Sequence, residues 1–130
     1  MSLLTGRRGV CCLLGALISG LAGAAQAGPS AAEMARIERL LAMIGSRRDM
    51  RLVRNGQEHD TDTAVSFLRG KLKHYGDDIK TAEDFIERLA SRSSTTGQLY
   101  WVRLADGRQI PAGDFLRIEL ARLDKAAASR

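Results

Sequence analysis

The sequence predicts a single small α+β domain with about four helices and two β-hairpins that join in one small antiparallel sheet. Two turn signals indicate the hairpins: Asn55-Gly56 and Asp106-Gly107 each stand between short extended segments, as in two-residue hairpin turns. Stretches with apolar residues at helical spacing surround both hairpins. No repeat or low-complexity linker divides residues 28–130, so we expect one domain there.

The first helix is predicted just after Pro29, where Ser30 and Glu33 match the capping-box pattern. Gly45 is placed to end it. The apolar positions that recur at helical spacing are Met34, Ile37, Leu40, Leu41 and Ile44. The first hairpin follows, with Met50–Arg54 as one strand and Gln57–His59 as the return strand.

The second helix is predicted from Asp60, whose side chain can cap it, to Gly76. One face of this helix carries Ala64, Val65, Leu68, Leu72 and Tyr75. Thr81 with Asp84 resembles the cap of a third helix. Phe85, Ile86, Leu89 and Ala90 would form its apolar face.

The second hairpin contains the clearest strand, Leu99–Leu104, followed by the return strand Arg108–Ile110. Alternation places Leu99, Trp101 and Arg103 on one face of the sheet and Tyr100, Val102 and Leu104 on the other. A last helix is predicted from about Asp114, and the tail Ala126–Arg130 is expected to fray.

The first 27 residues have the three parts of a secretory signal peptide. Arg7 and Arg8 precede an apolar run from Val10 to Leu21, and small residues lead to an exit site at Ala27. The run has 12 residues, whereas a spanning helix needs about 20. We therefore expect cleavage after Ala27 and a periplasmic or secreted protein without a stable membrane anchor. The arginine pair leaves open whether export follows the general or the twin-arginine route.

Removal of this leader would limit the chemistry of the mature protein. Cys11 and Cys12 both lie in the leader, so no thiol nucleophile or thiolate metal ligand would remain. The remaining 18 basic and 15 acidic residues give a net charge of +3, spread without a concentrated basic face. Two histidines without metal-ligand spacing do not form a zinc motif. We expect no metal, no cofactor and no nucleic-acid partner.

Polar side chains cluster around both hairpins in greater number than turns and caps require. We expect a ligand-binding surface made of Arg54, Glu58, His59, Arg69, Ser94, Thr96 and Tyr100. The alternative is purely structural: an ion pair such as Glu58 with Arg69, together with hydrogen bonds within loops. No residue is assigned a catalytic role, because neighbours in a strand point to opposite faces and His59 would not converge with Glu58.

Three segments also resemble the YfeK-like family of small bacterial envelope proteins. They are Arg54-Asn55-Gly56-x-Glu58-His59 with the following Ala64–Leu72, then Ile79-x-Thr81-Ala82-Glu83-x-Phe85-Ile86, and Ser93-Ser94-x-Thr96-Gly97-x-x-Tyr100. Phe67 stands where the family often has His, so a two-histidine site with His59 is not available. The resemblance implies an exported domain of unknown function and supplies no catalytic residues.

These observations favour a non-enzymatic binding or accessory protein of the cell envelope. Its partner would be an envelope protein or an anionic envelope component. One alternative is a small hydrolase of an envelope polymer that uses His59 or Glu58 as the acid or base. Another is an inhibitor or partner of an envelope protein, with Trp101 anchoring an exposed apolar patch.

Overall fold

The computed structural model describes residues 27–130, so the predicted signal peptide lies outside the described residues except for Ala27. Helices and one antiparallel sheet confirm the predicted α+β class. The helices are α1 (Ala31–Ser46), α2 (Thr61–Tyr75), a 3₁₀ turn (Gly76–Asp78), α3 (Ala82–Asp84), a π-helix (Phe85–Ala90) that continues α3, and α4 (Ala112–Ala128). The strands are β1 (Arg51–Arg54), β2 (Gln57–His59), β3 (Trp101–Arg103) and β4 (Gln109–Pro111).

The first three α-helices begin at the polar side chains that the sequence predicts as caps. Ser30 Oγ and an Asp60 carboxylate oxygen each accept a hydrogen bond from the backbone N–H three residues later, at 3.2 and 2.8 Å. Thr81 and Asp84 form a reciprocal capping box at the start of α3. Each such cap contributes about 1 kcal/mol by satisfying a backbone N–H that lacks a helical partner.

The sheet has the strand order β2-β1-β3-β4, and every neighbouring pair is antiparallel. Asn55 and Gly56 join β1 to β2 with φ angles of 52° and 81°. Two successive positive φ angles are those of a type I′ turn, whose twist matches that of the strands. The two hairpins meet where β1 pairs with β3, with Leu52 opposite Val102.

One face of the sheet is covered by helices and the other is open. α2 and α4 contact the strands, and α1 packs across α2 and α4. Tyr100 is 1% exposed and lies in the core, whereas the neighbouring Trp101 is only half-buried. The predicted alternation along this strand is therefore present. The largest fully buried side chains are Tyr100, Phe85, Ile37, Leu40, Leu41, Ile79 and Ile86.

The structure corrects several predicted boundaries. α1 continues one residue past Gly45. β3 is shorter than Leu99–Leu104, and β4 ends at Pro111 rather than Ile110. α4 begins at Ala112, before Asp114, because the Ala112 N–H donates to the Tyr100 carbonyl oxygen and the chain turns directly from strand to helix. It also includes Ala126–Ala128 of the tail that was expected to fray, and alanine has the highest helix propensity.

The π-helix was not predicted, and it places buried Ser91 against α4. Ser91 Oγ donates to the Ile86 carbonyl oxygen at 2.7 Å. A Cβ added at Gly113 would lie 2.5 Å from Ser91 Oγ, whereas one added at Gly70 would meet nothing within 4 Å. Gly113 is therefore needed for the close approach of α4 to this segment.

Replacing these two helical glycines with alanine should change stability in opposite directions. We expect Gly113→Ala to lower the free energy of unfolding by about 1–3 kcal/mol because the new methyl group displaces Ser91. Gly70→Ala should raise it by about 1 kcal/mol through helix propensity alone. Urea denaturation of both variants measures this, and equal effects at the two positions would contradict the described packing.

Two further properties concern the described part of the chain. Within residues 27–130, no helix combines the length and the apolar character needed to cross a membrane. The same residues contain no group of three or more His, Cys, Asp or Glu side chains placed to hold a metal ion.

Candidate functional site

A cleft of about 160 Å³ opens where the end of β1, the last turns of α2 and the loop after the π-helix meet. We call it the cationic cleft because its two charged side chains are both basic. Its lining consists of Arg54, Phe67, Lys71, Tyr75, Ser93, Ser94, Thr95 and Tyr100. No carboxylate lines it among the described residues.

Lys71 is the most unusual side chain of the cationic cleft, because it is only 8% exposed. It lies on the face of α2 that also carries Leu68 and Leu72, at positions where the helix contacts the core. Its Nζ donates hydrogen bonds to the Arg92 carbonyl oxygen and to the Tyr100 hydroxyl, each at 3.3 Å. The ammonium group is thus solvated by neutral oxygens.

Arg54 supplies the second positive charge. It is the last residue of β1 and lies on the helix-covered side of the sheet, two residues beyond Leu52. Its guanidinium carbon lies 4.2 Å from the centroid of the Phe67 ring, a distance typical of a cation–π contact. Its Nε is buried and makes no hydrogen bond to any described residue.

Neither cation has an anionic partner among residues 27–130, since no carboxylate oxygen lies within 4.0 Å of Arg54 or Lys71. Burial lowers the pKa of Lys71, and the like charge of Arg54 lowers this pKa further. The cationic cleft therefore holds two charges that repel each other and that the described residues leave uncompensated.

The loop Ser93–Gly97 supplies hydroxyl groups at the mouth of the cleft. Ser93 is buried, and its Oγ accepts from the backbone N–H groups of Thr95 and Thr96 at 3.3 and 3.2 Å. Gly97 closes the loop with a φ of 74°, in the left-handed region that glycine adopts readily. Thr96 Oγ1 donates to the side chain of Asn55 at 3.1 Å, which ties the loop to the first hairpin.

Tyr100 forms the floor of the cleft. Its ring contacts Phe67 edge to face, with the centroids 5.8 Å apart. Burial raises the pKa of the Tyr100 hydroxyl, and the nearby Arg54 and Ser93 oppose that rise. The hydroxyl is therefore neutral at physiological pH and is available as a hydrogen-bond donor while it accepts from Lys71.

The structure brings together three of the seven residues predicted as a binding surface. Arg54, Ser94 and Tyr100 line the cationic cleft. Thr96 lies in the same loop but uses its hydroxyl on Asn55. His59 is half-buried beside the cleft, where it lines a separate cavity of about 20 Å³ with Arg54 and Phe67.

The other two predicted residues lie elsewhere. Glu58 pairs with Arg103, because its position opposite Val53 and the alternation of the strand direct it to the open face of the sheet. Arg69 is two residues before Lys71 and so lies on another side of α2. There it forms an exposed ion pair with Glu38 of α1 at 2.6 Å. The alternative pairing of Glu58 with Arg69 was therefore wrong.

Five residues that line the cleft were absent from the predicted surface: Phe67, Lys71, Tyr75, Ser93 and Thr95. Lys71 could have been found, because Leu68, Lys71 and Leu72 follow the spacing of a buried helix face. A lysine within such a stripe indicates a buried charge. Ser93 and Phe67 carry no comparable signal, since their burial depends on contacts with segments distant in sequence.

Tyr75 also differs from its predicted role. The periodicity of α2 places it on the packing face, but it is 42% exposed at the rim of the cationic cleft. The helix ends at Tyr75 and the chain turns into the 3₁₀ segment, so the ring stays partly exposed at the end of α2. It contacts His74 edge to face, with the ring centroids 4.5 Å apart.

Comparison with known proteins relates the chain to relatives without an assigned role. The model of the "Family of unknown function (DUF5329)" matches residues 31–124. The "Uncharacterized protein YfeK" of Salmonella typhimurium is 45% identical over 76 residues, which cover 58% of this chain and 63% of that protein. The match thus spans less than two-thirds of that relative's length. No solved structure matches the chain.

Proposed function

The chain belongs to the DUF5329 family of unknown function, and we propose that it is an exported, non-enzymatic binding domain of the cell envelope that holds an anionic group in the cationic cleft. The observation that carries this proposal is the convergence of Arg54 and Lys71 without a carboxylate from the described residues. A bound anion would supply the missing negative charge.

The energetic cost of the cationic cleft supports a role in binding. Placing an ammonium group in a buried site without a counter-ion costs several kcal/mol unless hydrogen bonds offset that cost. Lys71 has two long hydrogen bonds to neutral oxygens, and the repulsion from Arg54 adds to the cost. Such an arrangement is destabilising for the free protein and favourable once an anion enters.

The size of the cleft limits what it can hold. Pockets for drug-sized ligands have volumes of about 300–1,000 Å³, and the cationic cleft has about 160 Å³. It therefore suits the charged end of a larger molecule, or a small anion. An anionic component of the envelope that presents such a group is the ligand class we favour.

The hydrolase alternative is less compatible with the geometry. It requires His59 or Glu58 within about 3 Å of a reacting group. His59 is half-buried on the helix-covered side of the sheet, whereas Glu58 lies on the open face and is paired with Arg103. Neither side chain lines the cationic cleft, and the Glu58 carboxylate is already engaged by Arg103.

The export part of the proposal rests on the predicted signal peptide and has its own test. The protein recovered from the periplasm of an expressing bacterium should begin at Gly28, as N-terminal sequencing would establish. A full-length chain retained in the cytoplasm would contradict export and would leave the proposed anion site unaffected.

A titration with simple anions tests the binding part. We expect sodium sulfate to shift the backbone amide NMR signals of the Ser93–Gly97 loop, while sodium chloride at equal ionic strength has a much smaller effect. Arg54→Gln should weaken the sulfate response at least tenfold, because a charged hydrogen bond contributes about 1.5–3 kcal/mol. Arg69→Gln is the matched control, since Arg69 lies on the same helix as Lys71 but outside the cleft, where it pairs with Glu38.

Two results would contradict anion binding in the cationic cleft. One is an identical response to sulfate and to chloride, which would indicate screening of surface charge alone. The other is an equal loss of the sulfate response in the Arg54→Gln and Arg69→Gln variants.

A further inference from the structure

The donors of the cationic cleft come from four separate segments. Arg54 projects from β1, Lys71 from α2, Tyr100 from the residue before β3, and Ser93 and Ser94 from the loop. A carboxylate offers two oxygens in one plane, whereas a phosphoryl group offers three oxygens arranged around a tetrahedral centre. Donors that converge from several directions suit the tetrahedral group better.

The charge of the cleft also discriminates between anions. Arg54 and Lys71 line one small cleft and have no carboxylate partners among the described residues. A ligand with a single negative charge would leave one of these two cations uncompensated. A phosphomonoester carries about −1.5 to −2 charges at neutral pH, because its second pKa is about 6. A phosphodiester carries only one.

From this match of charge and donor geometry, and resting on the proposed anion binding, we propose that the cationic cleft holds the terminal phosphoryl group of a phosphomonoester. Arg54 and Lys71 would neutralise its two charges. Ser93 or Ser94 and the Tyr100 hydroxyl would donate to the oxygens that remain. Phe67 and Tyr75 would contact the group to which the phosphate is esterified, since these rings form the apolar part of the lining.

Calorimetric titration of residues 28–130 with small probes tests the proposal. The probes are glycerol 3-phosphate as the monoester, dimethyl phosphate as the diester and acetate as the carboxylate, all at pH 7.5 and equal ionic strength. We expect the monoester to bind at least tenfold more tightly than the other two. Lys71→Met should remove most of that preference, whereas Lys73→Met, at an exposed position of the same helix, should retain it.

The outcomes separate this proposal from the one on which it rests. Equal affinity for glycerol 3-phosphate and acetate would overturn the phosphoryl assignment and would leave anion binding in place. No binding of any probe to a folded protein would overturn both. If the Lys71→Met variant still binds glycerol 3-phosphate more tightly than the other two probes, the assignment of Lys71 to the site is overturned.

The same phosphoryl chemistry could come from a soluble metabolite or from a lipid headgroup, and vesicles distinguish these sources. Cosedimentation with phosphatidylcholine vesicles that contain phosphatidic acid, and not with vesicles that contain phosphatidylglycerol, would support a lipid monoester. Binding of glycerol 3-phosphate without any cosedimentation would support a soluble monoester. Equal cosedimentation with both anionic lipids would overturn the monoester assignment, because phosphatidylglycerol is a diester.

Discussion

Replacing Lys71 with methionine should stabilise the free protein and abolish its anion binding. Methionine fills a similar volume with an unbranched chain, and it removes a buried charge that no described carboxylate compensates. Such replacements are often stabilising, and we expect a gain of about 1 kcal/mol in the free energy of unfolding. For a domain of this size that gain raises the melting temperature by roughly 4–8 °C.

The expected loss of affinity in the same variant exceeds tenfold, because a charged hydrogen bond contributes about 1.5–3 kcal/mol. Thermal unfolding and a sulfate titration of Lys71→Met measure the two effects. Lys73→Met is the control, and we expect it to change neither quantity appreciably. Destabilisation of Lys71→Met by several kcal/mol with unchanged sulfate affinity would indicate that Lys71 has a structural role only.

The stability of the wild-type protein should also depend on pH through Lys71. Burial lowers the pKa of Lys71 in the folded state below the ordinary value of 10.5. Between the folded-state pKa of Lys71 and 10.5, the unfolded chain binds more protons than the folded protein. The free energy of unfolding therefore rises with pH across this window. The cost of the buried charge is fully present below the folded pKa. The difference in stability between Lys71→Met and wild type should therefore shrink as the pH approaches 10.5.

Replacing Arg36 with alanine should have the largest effect on stability among the ion pairs. Arg36 lies on α1 and donates to Glu83 at the start of α3 and to Asp124 of α4, with nitrogen–oxygen distances of 2.7–3.1 Å. It also pairs with Glu33 at 2.8 Å. Its removal leaves three carboxylates close together without their shared cation, which raises the electrostatic energy of the fold.

We expect Arg36→Ala to lower the free energy of unfolding by about 2 kcal/mol. Breaking a buried pair costs about 3–5 kcal/mol and an exposed pair contributes at most about 1 kcal/mol. Arg36 lies between these limits, with 19% of its side chain exposed. The melting temperature should fall by roughly 10 °C. The matched control is Arg117→Ala, which removes an exposed arginine paired with Asp114 and Glu87.

The difference in the free energy of unfolding between wild type and Arg36→Ala should disappear in acid. The hydrogen bond from Arg36 lowers the pKa of Glu83 below the ordinary 4.5, so this contribution is present above 4.5 and is lost as the pH falls through the folded value. Urea denaturation of wild type and Arg36→Ala across this range measures the change. A difference between them that stays constant down to pH 2 would contradict the assigned pairing.

Local chemistry explains why the sequence was sufficient to predict the class of fold. The Asn55-Gly56 turn adopts two positive φ angles because these residues tolerate them, and it fixes the register of the first hairpin. Ser30, Asp60 and Thr81 cap helices where their patterns indicate. Each of these features depends on at most four neighbouring residues, so it can be inferred without the tertiary structure.

The π-helix could not be predicted in the same way. Its apolar residues Phe85, Ile86, Leu89 and Ala90 have the spacing of an ordinary α-helix, and all four are buried. The wider turn coincides with the close approach of Ser91 to Gly113, which are distant in sequence. Such contacts between segments leave no periodic signal in either of them.

The candidate site was predicted only in part for a related reason. Sequence proximity to the hairpins brought Arg54, Ser94 and Tyr100 into one group, and the structure places them around one cleft. The same criterion included Glu58 and Arg69, which the geometry of strand and helix directs elsewhere. The helical spacing of Lys71 with Leu68 and Leu72 indicates its burial, but nothing local indicates its hydrogen bonds to Arg92 and Tyr100, 21 and 29 residues away.

The pKa of Lys71, measured with and without an anion, tests most directly whether the cationic cleft is an anion site. The Nζ and Cε NMR signals of labelled lysine can be followed against pH in sodium sulfate and in sodium chloride of equal ionic strength. Sulfate held between Arg54 and Lys71 should raise the lowered pKa of Lys71 towards 10.5, because it stabilises the charged form. The same pKa in both salts would contradict anion binding at this cleft.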